Sequence, residues 1–175
     1  MKVFINAGHG GTDVGAVSRN KIKEADITKK VAEILCKKLE ENSIKYEFYQ
    51  QTKHYFEISQ KENKSNADLF ISIHCNSAVN PNANGIETLY CLTSTKGKEI
   101  AKIVQAKLVN ATGLLNRGIK PREDLHVLNR TKSPAILVEL AFLSNYKEEK
   151  MLVNQPEIFA CAILEAIKEW NKITG

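Results

Sequence analysis

The stretch LFISI, residues 69–73, is an almost unbroken apolar run of strand-forming residues. Runs of this kind are typical of strands that are covered on both faces of a sheet. ILVEL at residues 136–140 and KVFIN at residues 2–6 have a similar character. Two more segments have the composition of strands, KYEFYQ at residues 45–50 and GIETLYCL at residues 85–92. The sequence therefore predicts a sheet with a buried centre.

Between these runs, apolar residues recur at the spacing of amphipathic helices. This spacing predicts helices over residues 24–42, near residues 56–58, from residue 100 to Gly113, and from residue 158 to Trp170. Asn154 and Glu157 match a capping box and predict the start of the last helix. Because strands alternate with helices, we expect an α/β fold, a single layered domain with a largely parallel twisted central sheet flanked by helices. Since no linker or repeat divides the chain, residues 1–175 are predicted to form one domain.

The composition is that of an ordinary globular protein, with 43% hydrophobic and 26% charged residues in a chain of 175. The net charge is +5, but aromatic residues are not interleaved with the lysines, so we expect no nucleic-acid partner. No apolar run approaches the roughly 20 residues of a membrane helix, so we expect no membrane insertion. The first residues also lack the pattern of a signal peptide. The four cysteines are widely spaced, and the three that lie in apolar segments are interpreted as buried thiols.

Polar residues break the apolar pattern at the ends of three predicted strands. His9 follows the first strand, His74 follows LFISI, and Glu139 interrupts ILVEL. A carboxylate in an apolar strand is costly unless it is paired or bound to a cation. Since the carboxyl ends of parallel strands meet at one edge of the sheet, these side chains can converge on one crevice.

Two histidines with one or two carboxylates form a typical open zinc site, in which one position remains for water. Glu24, at the start of a predicted helix after a glycine-rich loop, is the natural third ligand. Glu139 would then be the acid and base that moves the water's proton. The spacing alone leaves open which glutamate has which role.

The ordered motifs of this chain resemble the zinc-dependent N-acetylmuramoyl-L-alanine amidases of the type 3 class. The motifs are NAGHGGTDVGA at residues 6–16, Glu24, ADLFISIHCN at 67–76, GIET at 85–88, RGIK at 117–120, VL at 127–128, SPAILVELAFLSN at 133–145, and Glu148. They run in order over nearly the whole chain. Lys53 and Ala141 stand where arginine and glycine are frequent in this class. These departures leave the proposed zinc set untouched.

The resemblance implies a zinc (Zn²⁺) enzyme with ligands His9, Glu24 and His74 and with Glu139 as the catalytic residue. Its substrate would be bacterial peptidoglycan, cleaved between N-acetylmuramic acid and the L-alanine of the stem peptide. The class includes phage endolysins, autolysins and sporulation hydrolases, and we expect an endolysin or autolysin catalytic domain. Such a protein would be made in the cytoplasm and reach the wall after lysis or through pores, with any cell-wall-binding domain lying outside these residues.

Four residues are predicted to contact the substrate. Arg117, Lys120 and Arg122 lie in a segment with glycine and proline that we expect to be a loop, where they can meet carboxylates of the stem peptide. Asn76 follows a ligand and can hydrogen-bond the substrate or order its loop. His54 and His126 are interpreted as ordinary loop or surface histidines.

Three other functions compete with the amidase. A metal peptidase acting within the stem peptide would use the same chemistry, and only its products would differ. A wall-binding protein without catalysis has no need of all four zinc and acid–base residues. A cysteine hydrolase built on His74 and Cys75 is disfavoured, because adjacent strand residues point to opposite faces.

Overall fold

The computed structural model describes residues 1–51 and 55–175, so that Lys53 and His54 lie outside the described residues. The strands are β1 (Lys2–Ala7), β2 (Lys45–Gln50), β3 (Leu69–Asn76), β4 (Ile86–Cys91), β5 (Asn116–Arg122) and β6 (Ala135–Phe142). The helices are α1 (Glu24–Glu41), α2 (Tyr55–Ser65), α3 (Thr95–Thr112), α4 (His126–Asn129), α5 (Tyr146–Asn154) and α6 (Pro156–Thr174). Strands and helices alternate over most of the chain, which confirms the predicted α/β class.

The strands form one sheet in the order β2-β1-β3-β6-β4-β5. β1 is parallel to both β2 and β3, and β3 is parallel to β6. β4 runs antiparallel to β6, and β5 is parallel to β4. The largely parallel sheet is therefore confirmed, and its carboxyl edge at β1, β3 and β6 also receives the amino ends of β4 and β5.

The two faces of the sheet carry cores of very different size. On one face, α1, α3 and α6 pack on alternate residues of the strands, among them Ile5, Ile71 and Val138. On the other face, a smaller cluster joins strand residues such as Phe70 and Leu137 to α2 and α4. Because side chains alternate along a strand, His74 and Glu139 lie on the face of the smaller core, beyond its apolar residues.

Helix boundaries follow local signals in most places. α1 begins at Glu24, as predicted, and α3 ends where Gly113 takes the left-handed conformation with φ 68°. The predicted capping box at Asn154 and Glu157 is wrong, since Asn154 ends α5 and Gln155 precedes α6. Pro156 starts that helix instead, because its fixed φ suits the first helical turn.

Two expectations from composition can be compared with the structure. Cys36, Cys75, Cys91 and Cys161 are free thiols, of which the first two are buried and the others partly so. Within residues 1–51 and 55–175, none of the helices combines the length and apolar character required to span a bilayer.

Glu148 ties α5 to the ends of two strands. It is 3% exposed, and its carboxylate accepts hydrogen bonds from the backbone N–H of Gly85 at 2.7 Å and of Phe142 at 2.6 Å. Replacing Glu148 by Ala leaves both buried donors without this acceptor. We expect the free energy of unfolding to fall by about 2–4 kcal/mol, as measured by urea denaturation.

A matched control is Glu165→Ala on α6, where the side chain is largely exposed and paired with Lys168 on the surface. That change should alter the free energy of unfolding by no more than about 0.5 kcal/mol. Equal stability of the two variants would show that Glu148 does not hold these strand ends.

Candidate metal centre and active site

Three predicted metal ligands converge at the carboxyl edge of the sheet. His9 follows β1, His74 lies near the end of β3, and Glu24 is the first residue of α1. One ligand atom from each lies within 4.8 Å of the others. Glu24 lies between the two rings, with His9 Nε2 at 3.3 Å from one carboxylate oxygen and His74 Nδ1 at 3.2 Å from the other. The three donors can therefore close around one small cation.

The glycine-rich loop after β1 is required by this close packing. A Cβ atom on Gly8 would overlap the His74 ring. A Cβ atom on Gly15 would lie 2.7 Å from Glu24 Oε2 and from the His9 ring, and Gly15 also has a positive φ of 65°. Larger residues at either position would displace the ligands, which explains why the loop contains glycine there.

Asp13 supports His9 from behind. Its Oδ2 atom lies 3.0 Å from His9 Nδ1 and accepts a hydrogen bond from Gln51 Nε2 at 3.0 Å, while Oδ1 accepts from the Gly15 N–H at 3.1 Å. This arrangement fixes the ring so that Nε2 faces Glu24. The role of Asp13 was not predicted from the sequence, although a carboxylate four residues after a ligand histidine was a usable signal.

Replacing Asp13 by Ala should weaken zinc binding by about 10- to 100-fold, the usual effect of losing a carboxylate that orients a ligand histidine. Competition with a chromogenic chelator measures this affinity. Asp26→Ala is the matched control, because Asp26 is an exposed carboxylate in the first turn of α1. If both variants bind zinc as tightly as the unmodified chain, Asp13 does not orient His9.

Glu24 and His9 favour each other's charged forms. Burial acts to raise the pKa of Glu24, but the hydrogen bonds from His74 and His9 outweigh it, and the pKa is lowered. The hydrogen bond with Glu24 raises the pKa of His9 to about 9, against the opposing effect of burial. The carboxylate is thus ionised and can serve as a ligand, whereas His9 must release its proton before it can bind a metal ion.

Glu139 lies beside this centre without joining it. It pairs in register with His74 on the neighbouring strand, so the two side chains share a face. Its Oε2 atom is buried and has no hydrogen-bond partner among the described residues. Burial is the main cause that raises the pKa of Glu139 to about 7. A carboxyl group with one free oxygen at this position can exchange a proton with a bound reactant.

The structure corrects the location of the predicted substrate residues. Residues 116–122 form β5 rather than a loop, although they include Gly118 and Pro121. β5 is an edge strand that pairs with β4, and an edge strand tolerates proline because one row of its backbone groups has no ladder partner. His126, interpreted as an ordinary loop or surface histidine, begins α4 and is partly exposed, and its ring hydrogen-bonds Ser59 Oγ at 2.9 Å.

Three of the four predicted substrate residues meet at a carboxylate whose role was not predicted from the sequence. Asn76, Arg117 and Lys120 all donate hydrogen bonds to Glu87 on β4. Arg122 is not brought to this group, because its guanidinium forms two hydrogen bonds with Asp124, at 2.8 and 2.6 Å. An acidic residue within an apolar strand was the signal for Glu87, as it was for Glu139.

Cys75 lies on the opposite face from His74, within the larger core. Burial raises the pKa of its thiol well above the usual value. Its backbone N–H donates a hydrogen bond to Glu24 Oε1 at 3.0 Å. The side chain therefore packs in the core, as predicted, and is poorly suited to act as a nucleophile.

The fold and the site together are typical of metal-dependent hydrolases with an α/β sheet. Residues 3–169 match the family model described as N-acetylmuramoyl-L-alanine amidase. The chain therefore belongs to the N-acetylmuramoyl-L-alanine amidase family, and the predicted family and enzyme class are confirmed.

Individual relatives and structures agree with this family. The uncharacterized protein YqiI of Bacillus subtilis is 35% identical over 156 residues, which cover 86% of this chain and 74% of YqiI. The probable cell wall amidase LytH of Staphylococcus aureus is 32% identical over 170 residues, which cover 95% of this chain but 57% of LytH. The crystal structure of an N-acetylmuramoyl-L-alanine amidase from Clostridium difficile 630 superposes with a TM-score of 0.91 at 32% identity, covering 99% of this chain and 98% of that one.

Proposed function

We propose that this chain is a zinc-dependent enzyme that hydrolyses the amide bond between N-acetylmuramic acid and L-alanine in peptidoglycan. The observation that carries the proposal is the grouping of His9, Glu24 and His74 within 4.8 Å, beside a glutamate whose buried Oε2 has no partner in the described structure. Two imidazoles and one carboxylate are suitable zinc donors and leave a fourth position open. The residues present thus fit the metal that the family implies.

The chemistry that a zinc ion supplies in such a site is Lewis acidity towards the scissile carbonyl and the attacking water. His9, Glu24 and His74 would hold it, with Asp13 fixing the His9 ring. Glu139 accepts the proton of the attacking water. A pKa near 7 allows Glu139 to keep that proton and then donate it to the departing nitrogen of alanine.

The substrate is held, in this proposal, on the β4–β5 side of the centre. Asn76, Arg117 and Lys120 surround Glu87 there, next to the strand that carries Glu139. The positive charges of Arg117 and Lys120 suit the carboxylates of the stem peptide. Arg122 has its guanidinium engaged by Asp124 and is assigned a smaller part in binding.

The test separates the amidase from the two alternatives that share its fold. Purified peptidoglycan is incubated with the protein, and the new end groups are identified. Zinc-dependent release of alanine amino termini supports the proposal. New amino termini elsewhere in the stem peptide would identify a peptidase, and binding without any new end group would identify a wall-binding protein. Either result would overturn the proposal.

We further propose a role in bacterial wall turnover, in the manner of an autolysin, because a close relative is named as a probable cell wall amidase. The chain spans 57% of LytH, and a wall-binding segment outside these residues belongs to this proposal. Deleting the gene should slow autolysis of the host cells. Unchanged autolysis, together with lost prophage lysis, would identify an endolysin instead.

A further inference from the structure

Three polar residues form a row across neighbouring strands. His74 on β3 pairs in register with Glu139 on β6, and Glu139 pairs in register with Glu87 on β4. Register partners share a face of the sheet, so all three side chains project into the same crevice. Since neighbouring strands lie about 4.8 Å apart, the backbone of Glu87 lies about 10 Å from that of the metal ligand His74.

Glu87 is nearly buried and is fully engaged. It is 9% exposed, and its Oε1 accepts a hydrogen bond from Asn76 Nδ2 at 3.0 Å. Its Oε2 accepts from both Arg117 Nε at 2.9 Å and Lys120 Nζ at 2.6 Å. These ion pairs lower the pKa of Glu87 despite its burial, so the carboxylate is ionised. The single negative charge of Glu87 thus pairs with the positive charges of Arg117 and Lys120, so these three side chains together carry a net charge of about +1.

Arg117 and Lys120 are held in place but still have hydrogen-bond donors available for a ligand. The Arg117 guanidinium lies over the Phe142 ring, 4.9 Å from its centroid, and donates from NH1 to the Asn84 carbonyl at 3.3 Å. The side chains of Arg117 and Lys120 remain 31% and 44% exposed. Arginine has five N–H donors and lysine three, so donors remain for a ligand. A second anion can therefore be bound where these two side chains reach solvent.

We propose that Glu87 is a positioning residue that holds Arg117 and Lys120 as a receptor for a stem-peptide carboxylate. This inference rests on the proposed amidase function and specifies its substrate class. The carboxylate is that of the acidic residue that follows the alanine, because two extended residues reach about 7 Å from the scissile bond. Together with the length of the Arg117 and Lys120 side chains, that reach is of the same order as the about 10 Å between the backbones of His74 and Glu87.

The Glu87→Gln variant should change the preference for a carboxylate in opposite directions, depending on whether Glu87 acts only through its charge or by positioning the two cations. Glu87→Gln removes a negative charge, which by itself strengthens the attraction of Arg117 and Lys120 for an anion. If Glu87 instead orders both cations, its loss means that two long side chains must be immobilised when the substrate binds. The sign of the change in carboxylate preference therefore separates the two accounts.

The experiment compares two synthetic N-acetylmuramoyl peptides that differ at one group. In one the carboxylate of the residue after alanine is free, and in the other it is amidated. The ratio of their kcat/KM values measures the preference. We expect the unmodified enzyme to favour the carboxylate by roughly 10- to 100-fold, the effect of a hydrogen-bonded charge. Arg117→Gln and Lys120→Gln should each lower this ratio.

Glu87→Gln should lower the same ratio by roughly fivefold or more, mainly through a higher KM for the carboxylate peptide. Zinc content and melting temperature are measured for each variant to establish folding. Lys107→Gln is the control, since Lys107 pairs with Glu169 on the surface between α3 and α6. This variant should keep the preference of the unmodified enzyme.

The outcomes separate this inference from the proposed function. Cleavage of both peptides without a preference, or a ratio that rises or stays constant in Glu87→Gln, would overturn the inference and leave the amidase intact. If neither peptide is cleaved, the amidase proposal fails. In that case, calorimetry measures the affinities of the protein for the two free stem peptides without turnover. Equal affinities would show that Arg117 and Lys120 do not form a carboxylate receptor.

Discussion

Replacing Glu139 by Gln should lower kcat by about 10²- to 10⁴-fold, the usual contribution of a general acid and base. The amide keeps the shape of the side chain but cannot accept the water's proton or return it to the leaving nitrogen. Zinc binding should persist, because Glu139 lies beside the three ligand atoms and is not one of them. Steady-state hydrolysis of a muramoyl peptide and metal analysis of the same sample measure both effects.

Glu99→Gln is the matched control for this change, since Glu99 is exposed on α3. It should retain both zinc and turnover. Loss of zinc from Glu139→Gln would show that Glu139 is a ligand, which the sequence alone had left open. Retained turnover in that variant would remove Glu139 from the chemistry altogether.

Replacing His74 by Ala should have an equally large effect through the metal. The change removes one of three donors and leaves Glu24 without one of its two imidazole partners. Zinc affinity should fall by more than the roughly 10- to 100-fold expected for Asp13, and hydrolysis should fall to the background rate. Since both apolar clusters lie outside this site, the variant should remain folded. Metal titration, circular dichroism and hydrolysis measure these effects.

His126→Ala is the matched control, because it removes a histidine that is not a proposed metal ligand. His126 lies on α4 and hydrogen-bonds Ser59 on α2, away from the three ligand atoms. Its replacement should leave zinc affinity unchanged. Tight zinc binding by His74→Ala would contradict the metal centre described above.

The grouping of polar residues at one edge of the sheet could be predicted from the sequence because these residues break a strong pattern, whereas their roles were implied by the family resemblance. LFISI is followed directly by His74, and ILVEL contains Glu139 near its end. Polar residues at such positions in strongly apolar strands indicate a function. Parallel strands also bring their carboxyl ends to one edge by topology alone. The convergence of His9, His74 and Glu139 on that edge therefore needed no knowledge of the register.

The role of Glu87 could not be predicted in the same way. Its position next to Glu139 depends on β4 being inserted antiparallel beside β6, a long-range pairing that leaves no local signal. The contacts with Arg117 and Lys120 depend in turn on β5. Gly118 and Pro121 led to the prediction of a loop there, although an edge strand tolerates both residues. Local patterns thus indicated the catalytic edge, whereas strand order determined which residues surround it.

The capping box was misjudged for a related reason. Asn154 and Glu157 have the right spacing, but a preceding helix already occupies the chain up to Asn154. Asn145 caps that helix instead, and its side chain accepts hydrogen bonds from Lys147 and Glu148. Two helices joined at Gln155 look like one helix with a capped start when periodicity alone is considered.

The metal centre is tested most directly by X-ray diffraction at the zinc absorption edge from crystals of the zinc-loaded protein. We predict an anomalous peak about 2.0–2.2 Å from His9 Nε2, His74 Nδ1 and a carboxylate oxygen of Glu24. Glu139 should lie outside the ligand set, with its carboxylate facing the open position. A peak elsewhere, or one that takes Glu139 as a ligand in place of Glu24, would contradict the account.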